Sequence, residues 1–485
     1  MTGAQAASAP SPQYGGVIPV TPTAITLDTV YAKEPLWGRM FARVSWSPDG
    51  ERFLYVRPSQ DPSENLPLML YDVARGTSQV WMKANAFPET PQVLGWSPAG
   101  TRVILLVAGN LYVSDIARGD RTEVAADVDD AQWSPRGDAV AYAHGADLYV
   151  ASLGKKVTPR RITRGGVPSE KLNATLDWVY PEELGIRYAF RWSPDAMQIA
   201  YLTMDERRVT NFPIVDFLTT NNAVTYGRYP LAGQANPGVT LRVVSLKAGA
   251  DRLVYDARTH DEYVAAFDWV PRTNSLVAEI LDRPQRTMRV ELWRDSHASP
   301  VRLYDQSSPS WVDVQPLPFW LADGRSIWLL DREKTAGVYL RQSNGSLRKL
   351  TGNYRVTDLL GVSRDETVYL QAAYPTRRDR SVLAISLAGV VRNLTPEPGA
   401  HAPTISQTFT HFVDLYSRAN DPPRTGLVDV ASGNTTDLVP ENMMLKAALL
   451  PTKMLEVPSE YGPLDATEID PSNFTASQKW PVVMY

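Results

Sequence analysis

None of the 485 residues is cysteine. That excludes disulfides, thiolate metal sites and a cysteine nucleophile. Histidine is nearly as scarce. The five present, His144, His260, His297, His401 and His411, are scattered along the chain. No H-x-x-x-H or H-E-x-x-H spacing joins them, so neither a metal site nor a cofactor is read. No stretch approaches the roughly 20 apolar residues of a membrane helix, and no membrane span is expected. Charge of one sign is also missing: 49 Lys and Arg stand against 53 Asp and Glu, with no basic run. Nucleic acid is therefore a poor candidate partner.

What is present in quantity is turn chemistry, with 38 prolines and 30 glycines. Their arrangement is periodic. WSPDG begins at Trp46, WSPAG at Trp96, WSPRG at Trp133 and WSPDA at Trp192. Degenerate copies follow: WVPRT at Trp269, WLADG at Trp320, VSRDE at Val362 and ISQTF at Ile405. Each copy precedes a short β-branched and aromatic run such as RFLYV, RVILLV, AVAYA or QIAYL, and a second run such as LMLYDV or LYVSDI follows. These runs suit strands in composition and length. Proline presets the first corner of the turn, Asp or Ser bonds the backbone, and glycine takes the position needing positive φ. A lone hairpin cannot bury both faces. Sheets stacked radially cover one another and leave only short edges. The fold class read from this is all-β, an eight-bladed β-propeller spanning residues 25–450. The last three copies are weak, so a count of seven stays open. Residues 1–24 are small, polar and proline-containing and read as a disordered tail. Within them Ala4-Gln5-Ala6 has the small-x-small pattern of a signal-peptide cleavage site, with no apolar segment ahead of it.

Spacing between copies is uneven. Trp133 to Trp192 spans 59 residues and Trp192 to Trp269 spans 77. The first long gap holds TLDWVYPEELGIRYAFRWSPD, residues 175–195, where Glu182 and Glu183 adjoin among aromatics. Two readings compete for this pair. A short helix beginning near Pro181 welcomes acidic residues in its first turn. Acidic pairs are also common here, as at Asp129-Asp130, Asp205-Glu206 and Asp261-Glu262. Alternatively, a helical turn sets adjacent side chains about 100° apart, so two glutamates can converge on one small cation such as a free α-amine. Elsewhere, Trp311, Phe319 and Trp320 read as blade-packing aromatics, and TRRDR (376–380) reads as a solvated turn.

The stretch DWVYPEELGIRYAFRWSPDAMQIAYLTMDERRVTNFPIVDF resembles the signature of the dipeptidyl peptidase IV family, a branch of the prolyl oligopeptidase group. RYPLAGQANPGVTLRVVSL (228–246), ITLDTVYAKEPLWGRMFARVSWSPDG (25–50) and LTPEPGAH (394–401) are similar to further parts of that family. The resemblance implies that Glu182 and Glu183 bind the free amino terminus of a peptide substrate. Pro181 stands where many relatives carry a third acidic residue. A substrate-facing arginine is also implied but not located; Arg121 lies in the right blade with an uncertain register. The same resemblance implies a homodimer, and a periplasmic or secreted location.

The family's chemistry belongs to an α/β-hydrolase domain after the propeller, with a serine on a G-x-S-x-G elbow followed by an acid and a histidine. No Gly-x-Ser of this chain has that context, so the chain alone is expected to be catalytically inactive. Residues 451–485 read as a linker and, at KWPVVMY, the first strand of such a domain cut short. The function expected is thus the substrate-gating propeller of a serine exopeptidase that releases X-Pro or X-Ala dipeptides. The alternative is a free-standing, non-catalytic module that binds peptides or proteins.

Overall fold

The computed structural model describes residues 25–294, 299–332 and 335–485. The expected tail, its Ala4-Gln5-Ala6 motif and His297 lie outside them. The described chain forms eight four-stranded antiparallel blades, which settles the blade count at eight. Every repeat copy closes the first strand of a blade: Ala42–Trp46, Gln92–Trp96, Val128–Trp133, Phe190–Trp192, Glu262–Trp269, Phe319–Trp320, Val356–Val362 and Ala400–Ile405. The degenerate copies make the same turn. Gly50, Gly100, Gly137 and Gly324 take positive φ at its end, and so do Ala196, Glu366 and Phe409 in three of the four copies that lack glycine; in the copy at Trp269 the positive φ falls one residue earlier, on Arg272. In each of these the last residue's N–H returns to a carbonyl three residues back, as from Gly50 to Ser47 (2.9 Å) and from Phe409 to Ser406 (2.9 Å).

The tryptophans join neighbouring blades. Trp96 Nε1 donates to the Ser45 carbonyl (3.0 Å), Trp133 to Gly95 (3.1 Å), Trp192 to Gln132 (3.4 Å) and Trp269 to Arg191 (3.1 Å). Each acceptor is the residue before the preceding blade's motif tryptophan. Trp46 follows the same rule across the seam, donating to Thr404 of the eighth blade (2.8 Å). Apolar side chains of the first and last blades, among them Phe41, Phe53, Tyr55, Val413 and Leu427, share one core cluster there. Each blade is one contiguous stretch of chain, so closure rests on this seam rather than on a shared strand.

Three features depart from the repeat. The inner strand of the fourth blade is split into Lys171–Asn173 and Phe190–Trp192, both paired with Gln198–Asp205. A separate hairpin, Asn211–Asp216 with Ala223–Arg228, leaves the same blade between its middle strands. A second hairpin, Thr452–Val457 with Leu464–Ile469, follows the last blade, while residues 470–485 contain no strand. Two of the three TRRDR arginines are engaged by that hairpin: Arg377 bonds Asp465 (2.7 Å) and Glu456 (2.9 Å), and Arg378 bonds Asp465 (2.6 Å). The turn is solvated, as expected, with residues 376–378 exposed, and these two arginines make the ion-pair network at the surface. Trp311, expected to pack between blades, is 53% exposed and bonds Asp313 instead. Among the described residues no helix is long and apolar enough to cross a membrane.

Candidate functional site

The excursion carrying the glutamates is defined by one backbone residue. Ala174 N–H donates to the Leu202 carbonyl and Leu202 N–H donates to the Ala189 carbonyl, both at 2.9 Å. The chain thus leaves and rejoins the inner strand at the same level. Its departure is pinned by Asn173, whose Nδ2 donates to the fully buried Asp147 at 2.8 Å.

Inside the excursion a helix spans Val179–Glu183. Asp177 Oδ1 accepts the Tyr180 N–H at 3.2 Å and so caps its start. Gly185, at φ 69°, ends it, and Ile186 N–H returns to the Tyr180 carbonyl (3.0 Å). Val179, Tyr180, Leu184 and Ile186 are buried in the core shared with the fifth blade. Tyr180 Oη accepts the Val264 N–H (3.1 Å), and Tyr188 Oη accepts the Phe267 N–H (3.3 Å). On the other side Trp178 packs on Tyr229 with ring centroids 4.3 Å apart.

The helix is therefore held from below by aromatics and exposes Glu182 and Glu183. They are the last two of its five residues, behind Pro181, and Glu182 still belongs to the first turn. Neither side chain has a hydrogen-bond or ion-pair partner among the described residues. Two exposed like charges on a stiff short helix form an arrangement that gains by binding a cation.

Members of the three acidic pairs that looked ordinary in the sequence touch this excursion or line a cavity beside its helix. Asp129 Oδ2 accepts from Thr175 Oγ1 at 3.4 Å. Glu206 is 5% exposed and Asp177 6%. Burial pushes Asp177 up to about 6; burial, then the charge of Asp177, pushes Glu206 up to about 7. Asp205, Asp261 and Glu262 line a cavity of about 470 Å³ together with Val179 and Tyr180. Arg208 and Arg283 also line it. Arg208 is exposed and has no hydrogen-bond or ion-pair partner among the described residues. Arg121 is engaged elsewhere, 4.2 Å over the Phe87 ring and bonded to the Ala86 carbonyl (2.9 Å). Sequence reasoning missed Asp177, Glu206 and Arg208. The only signal available was that the acidic pair Asp205-Glu206 follows the apolar strand running from Gln198, which is weak without the fold.

Comparison with known proteins agrees with the architecture. The chain is 24% identical to a probable dipeptidyl peptidase 4 of Arthroderma benhamiae over 91% of its own length and 61% of that protein's. It is 31% identical to a venom dipeptidyl peptidase 4 of Apis mellifera over 42% of its length and 27% of that protein's. The chain spans about three fifths of the length of the fungal relatives it matches. A crystal structure of Porphyromonas gingivalis dipeptidyl peptidase 4 superposes with a TM-score of 0.79 at 21% identity, covering 95% of this chain and 69% of that one. The family model described as the dipeptidyl peptidase IV (DPP IV) N-terminal region matches residues 121–423, more than half of the chain and including the whole excursion, and on that ground the chain belongs to this family.

Proposed function

We propose that this chain is the substrate-gating propeller of a dipeptidyl peptidase IV-like serine exopeptidase, and that Glu182 and Glu183 bind the free amino terminus of the peptide. The observation that carries this reading is the pair itself: two exposed carboxylates, unpartnered among the described residues, on a helix fixed by buried aromatics. An ammonium group has three N–H donors and a charge to match. Anchoring it sets a fixed distance to the scissile bond, so cleavage falls after the second residue, with proline or alanine favoured there. The serine, acid and histidine would come from a hydrolase domain downstream of this chain, with residues 451–485 leading into it.

A homodimer belongs to the same reading. The tip of the hairpin Asn211–Asp216/Ala223–Arg228 exposes Phe217, Leu218, Val224 and Tyr226. Such a surface suits a second copy of the chain, and light scattering before and after Leu218→Asp checks it. Export to the periplasm or medium is proposed from the family resemblance, and cell fractionation tests it.

The central experiment replaces both glutamates by alanine in the full-length protein. Two charge-assisted bonds at about 1.5–3 kcal/mol each correspond to a fall in kcat/KM of about 10²–10⁴-fold on an Ala-Pro or Gly-Pro reporter. Unchanged kcat/KM rules out the clamp. The chain by itself should release no dipeptide from either reporter, and measurable release would overturn the assignment of catalysis to a downstream domain.

A further inference from the structure

We propose that the cavity beside the glutamate helix takes the side chain of the peptide's first residue, and that Arg208 selects an acidic side chain there. The inference rests on the amine-binding reading above and names a substrate class for it.

The cavity, about 470 Å³, has the size of a small-ligand site. Val179 and Tyr180 form one wall of it, and both belong to the helix Val179–Glu183. Glu182 stands three residues after Val179, and Glu183 stands four after Val179 and three after Tyr180. Residues at those spacings are neighbours on a helix surface, and each side chain leans toward the helix start. The two glutamates therefore lie at the edge of this wall. The remaining walls come from one end of the fourth and fifth blades: Asp205 ends a strand, Gly238 and Glu262 begin strands, and Arg283 follows one. An amine held by the glutamates thus has its own residue's side chain within reach of the cavity.

Charge pairing singles out Arg208. Six charged side chains line the cavity. Asp205 is bonded by Arg207 (2.8 Å), Asp256 by Arg258 (2.6 Å), Asp261 by Arg283 (3.2 Å) and Glu262 by Arg289 (2.7 Å). Five of the six are thereby neutralised. The uncharged polar groups Asn236 and Tyr263 serve each other, Asn236 Nδ2 donating to Tyr263 Oη (2.7 Å). Of the charged lining, only Arg208 has no hydrogen-bond or ion-pair partner among the described residues, and it is exposed. Its backbone is held. It sits in the turn from Glu206 to Val209, where Val209 N–H donates to the Glu206 carbonyl (2.9 Å) and Arg228 Nη1 donates to the Val209 carbonyl (2.8 Å). Val209 itself is buried. A guanidinium presented from a fixed turn can take a carboxylate through two parallel N–H donors. Without Arg208, the glutamates would repel an acidic first residue. With it, that residue finds two carboxylates for its amine and a cation for its side chain.

The test uses the chain as it stands and four probes, read by calorimetry at neutral pH and low salt. Aspartyl- and glutamyl-prolinamide are compared with their uncharged counterparts, asparaginyl- and glutaminyl-prolinamide. The expected result is that at least one acidic probe binds at least about threefold tighter than its counterpart, with the preference shrinking as salt is added. In Arg208→Gln the preference should vanish or reverse, because only the repulsion from the glutamates remains. Arg208→Lys keeps the charge without the planar fork and should retain part of it. N-acetylated forms of the probes separate this subsite from the amine site, since acetylation removes the ammonium group and should weaken every probe. No acid preference in wild type, or one that persists in Arg208→Gln, overturns the acidic subsite; the amine site then stands if free amines still bind better than acetylated ones. An Arg208-dependent acid preference that acetylation leaves unchanged, with no loss of affinity, sinks the amine site and keeps the cavity as a carboxylate site. Absence of binding by all four free-amine probes overturns both.

Discussion

Single residues decide how well the repeated turn is made. Gly50 and Gly100 occupy the same place in successive copies, at φ 73° and 66°. A Cβ on Gly50 would run into Thr408 Oγ1 of the eighth blade, whereas on Gly100 it would meet Pro48 at an ordinary 3.5 Å. Gly100→Ala should therefore cost only the left-handed strain, about 1 kcal/mol, and Gly50→Ala about 2–3 kcal/mol, read as urea midpoints. His401 supplies a second residue-scale effect. It is buried, with Nδ1 2.6 Å from Asp414 Oδ2 and Nε2 2.9 Å from the Glu397 carbonyl. Burial is the largest single influence and opposes its charge, but Asp414 and Glu397 together outweigh it, and its pKa is raised. A raised histidine stabilises fully below its ordinary value near 6.5 and loses that contribution as pH rises through the folded value. His401→Gln should thus be most destabilised relative to wild type at pH 5–6, with the Tm gap narrowing toward pH 9. The motif LTPEPGAH drew attention to His401 only by resemblance. Its partner Asp414 lies on the next strand and could not be read from spacing.

At the scale of elements, the second and third strands of every blade were legible and the fourth was not. The buried runs RFLYV and RVILLV announce themselves by β-branched and aromatic content. Outer strands such as VTPRR and RTEVA are short, polar and exposed, as edges that avoid further pairing tend to be. The long gap before Trp192 was visible as an insertion, but not that it splits an inner strand and is closed on Leu202. The C-terminal hairpin is held to the seventh blade by Arg377 and Arg378 around Asp465, whose pKa those guanidiniums lower to about 2. A depressed carboxyl contributes above its ordinary value and loses its contribution as pH falls through the folded one. Asp465→Asn should free residues 452–469 to faster hydrogen exchange while the propeller's exchange is unchanged. The same loosening should appear in wild type at high salt, because these charges face water.

Over the whole molecule the question is how a ring without a shared strand stays shut. The bond from Trp46 to Thr404 repeats the bond from Trp96 to Ser45, so the seam should be no weaker than an internal interface. Trp46→Phe and Trp96→Phe should each lose about 1 kcal/mol and agree within about 0.5 kcal/mol by chemical denaturation. A much larger loss at Trp46 would mark the seam as the weak point. By itself the sequence determined the repeat, its turn, the all-β class and the position of the glutamate pair, because these depend on local pattern: proline and glycine at a turn, apolar runs beside it. Only the tertiary structure decided that there are eight blades, that the pair stands exposed on a helix held by buried aromatics, and that Asp177 and Glu206 become buried. Those facts depend on which distant strands come together, since a carboxyl becomes buried, and its proton harder to lose, only when another part of the chain removes its water.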